Sequence, residues 1–456
     1  MSESLKVDGP DENVPLWSER RAAKSPRLAQ AFDSRSNALN AWRLVLATGV
    51  ILCHSWPLTG RRVSFAPAHQ LLNEVWVDGF FAVSGFLITW SWFRRPRPRD
   101  YFVARGLRIY PGLWGCLVIT AFVIAPIGVA VQGGSAAKLL LSRAPFEYVL
   151  GNSVVPMFKP DVGGTPRGIP LPGWWDGSLW TLVPEMFCYI TVAGFGVAGL
   201  LHRRWLIPSM LVMALICSTL LPPWGLFVEE PGTKQHMSAT VMLVVAAVAA
   251  RFATMFLAGA LLYQLRNVIP ARWSLVAVSF VIVLAASLLP NYRLVAAIPL
   301  AYAIIVSGSL IHNKRLHLPT DLSYGVYIYA WPMQVLLVIC GLAVLNPWVF
   351  MVIAAIATLP LAALSWFLIE KPALSLKTRL ARRTIALAPD SSPTRSEFTH
   401  VDDEQSVDAT AGFDSSPPSS DRRSRLGRSR LGQPFDQLSM PKIFVDQLKR
   451  LGRSSS

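Results

Sequence analysis

Charge is scarce in this sequence. Only 15% of its 456 residues are Asp, Glu, Lys or Arg, against roughly 25% in soluble chains, while 52% are hydrophobic. That balance excludes a secreted soluble enzyme. The five cysteines, Cys53, Cys116, Cys188, Cys217 and Cys340, lie in apolar stretches with neither CxxC nor metal-ligand spacing. They read as packing residues, and neither a disulfide scaffold nor a metal site is expected. The N-terminus lacks the form of a signal peptide, because acidic and basic residues mix through 1–35 with no early apolar run. The first apolar span is expected to act as its own insertion signal.

The charge that is present is uneven. Residues 36–370 hold 22 Lys/Arg and 11 Asp/Glu, while the 86 residues from Lys371 onward hold 15 and 10. The middle reads as membrane-embedded and the end as solvated. Stretches near the roughly 20 apolar residues that cross a bilayer as helix recur at 38–56, 71–93, 110–131, 180–201, 205–221, 238–265, 273–289, 294–311, 322–344 and 348–369. Arg251 divides the sixth, which leaves two short segments and eleven crossings as an alternative. Loop charge decides between them. With ten spans and the N-terminus inside, the loops 94–109, 202–204, 266–272 and 312–321 carry 12 Lys/Arg in 36 residues, and the external loops carry 8 in more than twice that length. The expected fold is therefore an all-α polytopic membrane protein of about ten transmembrane helices with both termini cytoplasmic. Its parts are a cytoplasmic segment 1–35, a transmembrane domain 36–372 and a basic tail 373–456. The net charge of +16 sits beside apolar spans and in the tail, so anionic lipid explains it better than nucleic acid.

Two regions outside the spans stand out. The external loop 132–179 is rich in Gly, Pro and Trp, and reads either as a connector or as a lid or acceptor-binding surface. Residues 385–440 are poor in apolar side chains and rich in Ser, Pro, Asp and Arg, a composition of disorder. The last stretch, 441–453, places Ile443, Leu448 and Leu451 near helical spacing, as a surface-lying amphipathic segment would.

Ionisable groups within spans are costly and mark function. Arg43, His54, Asp78, Glu185 and Arg251 are the candidates. Eleven residues of helix turn through about 1100°, so Arg43 and His54 share a face, about 16 Å apart along the axis. Span directions place His54, Asp78 and Glu185 toward the outer side, where they are expected to converge in one cavity. A histidine beside a carboxylate is arranged as a general base; the alternative is an interfacial histidine satisfied by water. Arg105 and Arg108 are three apart and project from one face if helical, a spacing suited to phosphate, although the positive-inside bias also accounts for them. Trp174, Trp175 and Trp180 are possible acceptor-stacking residues or ordinary interfacial anchors.

These residues also fall in a recognisable order: Arg43 and His54 with ten residues between them, Val77 to Leu87 (VDGFFAVSGFL), Arg105-x-x-Arg108 before Ile-Tyr-Pro, Ser178 to Glu185 (SLWTLVPE), Leu322 to Tyr329 (LSYGVYIY) and Glu370-Lys-Pro372. Across residues 37–372 the chain resembles the bacterial acyltransferase type 3 family of integral membrane proteins. The resemblance implies a multi-pass protein of the plasma membrane that moves an acyl group, most often acetyl, from acyl-coenzyme A to a hydroxyl of a cell-envelope glycan or glycolipid. It implies no permanently bound cofactor. By the same resemblance His54 is catalytic, Arg43 supports the site, Arg105 and Arg108 engage coenzyme A, and Glu185 is the acid of the fourth-span motif. Ser84 and Tyr324 fall within the matched motifs and join the candidates. One departure is Ala330, where many relatives have a histidine before Trp-Pro. The expected partners are the acyl donor, the acceptor and membrane lipids. Rival readings are a transporter or flippase for an envelope lipid, a scaffold recruiting partners through its tail, and an O-acyltransferase acting on a small natural product.

Overall fold

The computed structural model describes residues 25–376 other than 35, 222–236, 314, 317 and 319. The first 24 residues and the tail from 377, including 441–453, lie outside the described residues. Among the described residues the chain is helical, without a β-strand. Helices among the described residues overlap each of the expected apolar stretches: α1 Leu39–Leu58, α2 Val75–Arg94, α3 Pro98–Ile119, α4 Leu182–Val197, α5 Leu206–Leu220, α6 Met237–Gln264, α7 Trp273–Ala286, α8 Arg293–Leu310, α9 Ser323–Ile339 and α10 Pro347–Ser365. Among the described residues, six continuous helical stretches are long and apolar enough to cross a membrane: Pro67–Arg94, Pro98–Val131, Leu179–Val197, Leu243–Gln264, Arg293–Leu310 and Pro347–Leu376. The helices α5, α7 and α9 are apolar but shorter. Arg251 does not interrupt α6, which runs unbroken from Met237 to Gln264.

Local chemistry sets several boundaries. Pro98 begins α3 at the first helical position, where its missing N–H costs nothing, and Asp100 follows in the first turn. The basic stretch expected as a loop over 94–109 is thus largely helix. Farther along, the helix passes through a π-turn at Thr120–Ile124, just where Pro126 denies an N–H to the preceding turn. Asn346 caps α10, its side chain accepting from the Trp348 N–H at 2.9 Å.

Hydrogen bonds across the bundle gather the helix ends into two groups. At one end, the Ala38 N–H donates to Gly308 O at 2.8 Å and Leu28 N–H to Ile269 O at 2.9 Å, while Tyr324 Oη donates to Ile109 O at 2.8 Å. At the other, Gln70 Nε2 donates to Leu289 O at 2.8 Å, Asn291 Nδ2 to Ser218 Oγ at 2.8 Å and Arg61 Nη2 to Val344 O at 3.0 Å. This is the alternation that successive antiparallel helices produce. Where α2 and α6 cross, a Cβ at Gly85 would lie 1.9 Å from Phe256 O, and one at Gly259 1.9 Å from Ala82 O. Only glycine permits that approach, the usual way membrane helices pack closely. Large apolar side chains such as Phe187, Val281 and Ile356 face outward on α4, α7 and α10.

The loop 132–179 is folded rather than a plain connector. It carries short helices at Ala136–Leu140 and Ala144–Asn152, and Asn152 ties Phe158 and Lys159 back to it. Its own Tyr148 and Trp175 are buried.

Candidate active site

Helix α9 acts as a ruler for the site. At its start, Asp321 takes the Ser323 N–H at 3.3 Å and the Ser323 hydroxyl. Its Oδ2 accepts from Arg43 of α1 and, at 2.6 Å, from Nη2 of Arg108 of α3. Arg108 Nη1 also lies 3.6 Å from the buried Glu370. Two guanidiniums thus face two carboxylates, a neutral cluster. Burial works against ionising Asp321, but Arg108 and then Arg43 outweigh it and hold its carboxyl below the ordinary aspartate range.

One turn along α9, Tyr327 pairs its hydroxyl with that of Thr181 and donates to Ser178 O at 3.2 Å. The segment before α4 therefore descends into the bundle before the helix begins. That descent carries Glu185 deeper than its place in the sequence implies. A cavity of about 60 Å³, room for one or two waters, opens between these layers; around it stand Arg43, Arg108, Ser84, Glu185, Tyr324 and Tyr327. Glu185 accepts a hydrogen bond from Tyr189.

Another turn along, Trp331 stands edge-on to His54, ring centroids 4.6 Å apart at 73°. Trp331 Nε1 donates to Trp174 O at 3.3 Å, and a Cβ at Gly177 would lie 2.5 Å from its ring. The loop thus reaches the His54 level along α9. His54 Nδ1 is buried with no hydrogen-bond partner. Eight residues separate Ser323 from Trp331, so His54 sits about 12 Å along the axis from the arginine cluster.

The expected convergence of His54, Asp78 and Glu185 is not observed. No hydrogen bond or ion pair joins them. Both oxygens of the fully buried Asp78 are committed, to Arg251 Nε at 3.1 Å, to Arg293 Nε at 2.6 Å and to Tyr292. Arg293 also pairs with Glu74. Asp78 and Arg251 therefore belong to a neutral buried network linking α2, α6 and α8. Five candidates, Arg43, Ser84, Arg108, Glu185 and Tyr324, do meet at the cavity. Arg105 lies outside it, over the rings of Tyr101 at 5.6 Å and Tyr189 at 5.7 Å. Trp174 is at the His54 level. Trp175 is completely buried, its Nε1 donating to Thr165 Oγ1 at 3.1 Å, so it offers no stacking face; Trp180 packs on Phe252 at 5.7 Å. Ala330 is core, 0% exposed. Asp321 and Glu370 were not among the expected site residues. Asp321 stands beside the matched Leu322 motif and Glu370 within another, which was the available signal.

The described residues thus form a helical bundle with membrane-length apolar helices and a polar interior of paired arginines and carboxylates. Residues 36–367 match the family described as Acyltransferase domain, and the chain belongs to this type 3 acyltransferase family. It is an integral membrane protein and a transferase, so the transporter and scaffold readings give way. Nodulation protein 10 of Rhizobium leguminosarum bv. viciae is 27% identical over 378 residues, 77% of this chain and 97% of that protein. An O-acetyl transferase of Shigella phage Sf6 is 27% identical over 187 residues, 39% of this chain and 51% of that protein. No solved structure matches.

Proposed function

We propose that this protein is a bacterial plasma-membrane O-acyltransferase that moves an acyl group, acetyl in the simplest case, from acyl-coenzyme A to a hydroxyl of an envelope glycan or glycolipid. The observation that carries the reading is the layering along α1 and α9: the Arg43/Arg108 cluster, then the cavity, then His54 against Trp331. The likeness to an O-acetyl transferase supports the chemistry. Loop charge supports ten crossings with the arginine-cluster end and both termini in the cytoplasm.

In this account the donor's phosphates stay at the basic cytoplasmic end, and its neutral pantetheine arm widens the cavity to bring the thioester toward His54. Amides and a thioester cost less to bury than a nucleotide. His54 takes the proton of the acceptor hydroxyl as that oxygen attacks the thioester carbonyl. The C–S bond breaks, an ester forms, and the proton passes to the leaving thiolate. Trp331 packs against the His54 ring and fixes its orientation. The acceptor enters from the side of Trp174. Glu185, Ser84 and Tyr324 shape the cavity for the arm, while Asp78 and Arg251 hold the bundle together.

Binding of acetyl-coenzyme A to the detergent-solubilised protein tests the donor. Wild type is expected to bind and Arg105→Ala/Arg108→Ala to lose binding. Folded wild type that binds no acyl-coenzyme A would contradict the reading.

A further inference from the structure

Arg105 and Arg108 lie one turn apart on α3 but meet different surroundings. Arg108 is committed: Nη2 is 2.6 Å from Asp321 Oδ2, Nη1 is 3.6 Å from Glu370 Oε2, and its guanidinium lies over Tyr324 at 5.6 Å. Arg43 draws on the same Asp321 oxygen. A phosphate entering this cluster would have to displace a buried carboxylate that already satisfies two cations. Arg105 has no carboxylate within ion-pair distance among the described residues. Aromatic faces flank it, and its buried Nε has no partner. Of the two, only Arg105 is a cation still owed an anion.

We infer that the two arginines do different work and that Asp321 divides it. Asp321 is a positioning residue that holds Arg43 and Arg108 together as the floor of the cavity, where the acyl arm lies. Arg105 alone takes the donor's phosphate. The inference rests on the acyl-coenzyme A reading above, and asks which residue serves which part of that donor.

Two probes separate the parts: acetyl-coenzyme A, and adenosine 3′,5′-diphosphate, which has the phosphates but no arm. Both are titrated into detergent-purified full-length protein. Arg105→Gln is expected to weaken both probes by the same factor, roughly tenfold or more, as loss of one charge-assisted hydrogen bond does. Asp321→Asn is expected to weaken acetyl-coenzyme A about tenfold while leaving the diphosphate unchanged or tighter, because Arg108 is released. A merely structural loss would weaken both. Should Asp321→Asn fail to fold, Ser323→Ala removes one bond to Asp321 without changing charge, and is expected to act in the same direction, about threefold. Equal weakening of both probes by Asp321→Asn or Ser323→Ala, no effect of either on acetyl-coenzyme A, or intact diphosphate binding in Arg105→Gln would overturn the division. Wild type that binds neither probe would instead remove the donor reading itself, and the inference with it.

Discussion

His54 has a buried ring nitrogen with no partner and an indole packed against its ring, so Nδ1 is not committed to another side chain. Its replacement by alanine is expected to cost at least about 100-fold in transfer, the usual contribution of a general base, with acetyl-coenzyme A binding largely kept. Residual transfer near the wild-type rate, measured on isolated membranes, would reassign the base. Asp78 behaves differently. It is 0% exposed and serves two arginines, so Asp78→Asn leaves buried positive charge without its partner. A loss of about 3–5 kcal/mol in stability is expected, read as a lower unfolding temperature in detergent; unchanged stability would mean the network is dispensable. The sequence signalled that Asp78 is unusual, since an acid in a span demands explanation. It did not signal the partner. Arg293 lies 215 residues away and looked like an ordinary external-loop charge, and such pairings leave no local pattern. Asp321 is silent in the sequence for the same reason: a carboxylate in a short loop reads as solvated, and only the fold places Arg43 and Arg108 on it.

Among the elements, hydropathy located the apolar helices, six of which among the described residues are long and apolar enough to cross a membrane, because length and apolar content are local properties. Arg105 and Arg108 lie on one helix, as their spacing implied, although α3 begins at Pro98, earlier than the apolar run. Depth was harder to read. Loop 132–179 re-enters the bundle through Trp174 to Ser178, which shifts Glu185 away from His54 and toward the arginines, and polar loop composition does not disclose a descent of that kind. One acid marks the re-entrant segment. Asp176 is 0% exposed, bonded to Ser178 at 2.6 Å, and burial pushes its carboxyl up to about 7. Between the ordinary aspartate range and that value, the folded protein holds a proton that the unfolded chain has released. Raising the pH through this window therefore destabilises the fold. Thermal unfolding of wild type is expected to fall between pH 5 and about 7 relative to Asp176→Asn; parallel profiles would show that the loop does not depend on this group. The α2–α6 crossing gives a second check at this scale. Gly85→Ala places a methyl against the Phe256 carbonyl and is expected to abolish the folded, monodisperse protein, whereas normal yield and elution in detergent would mean the helices separate easily.

For the molecule as a whole, eight charged side chains among the described residues form two groups of paired charge, Asp78/Glu74 with Arg251/Arg293 and Asp321/Glu370 with Arg43/Arg108. The first braces α2, α6 and α8. The second stands beside the cavity. Overall charge marks the chain as membrane-embedded, while this division into bracing and working groups needs three dimensions. The family match ends at residue 367, so truncation after residue 384 is expected to retain most transfer activity. A truncated protein that folds but loses transfer would give the basic tail a part in the reaction.

The central claim is transfer of an acyl group to oxygen under the control of His54. Membranes bearing the protein would be incubated with acetyl-coenzyme A labelled in the acetyl group, and label in envelope material released by mild base would be counted. Wild-type membranes are expected to acquire base-labile label, the mark of an ester, and His54→Ala membranes with equal protein are expected to acquire almost none. Equal labelling in both, or label in neither, would contradict the account.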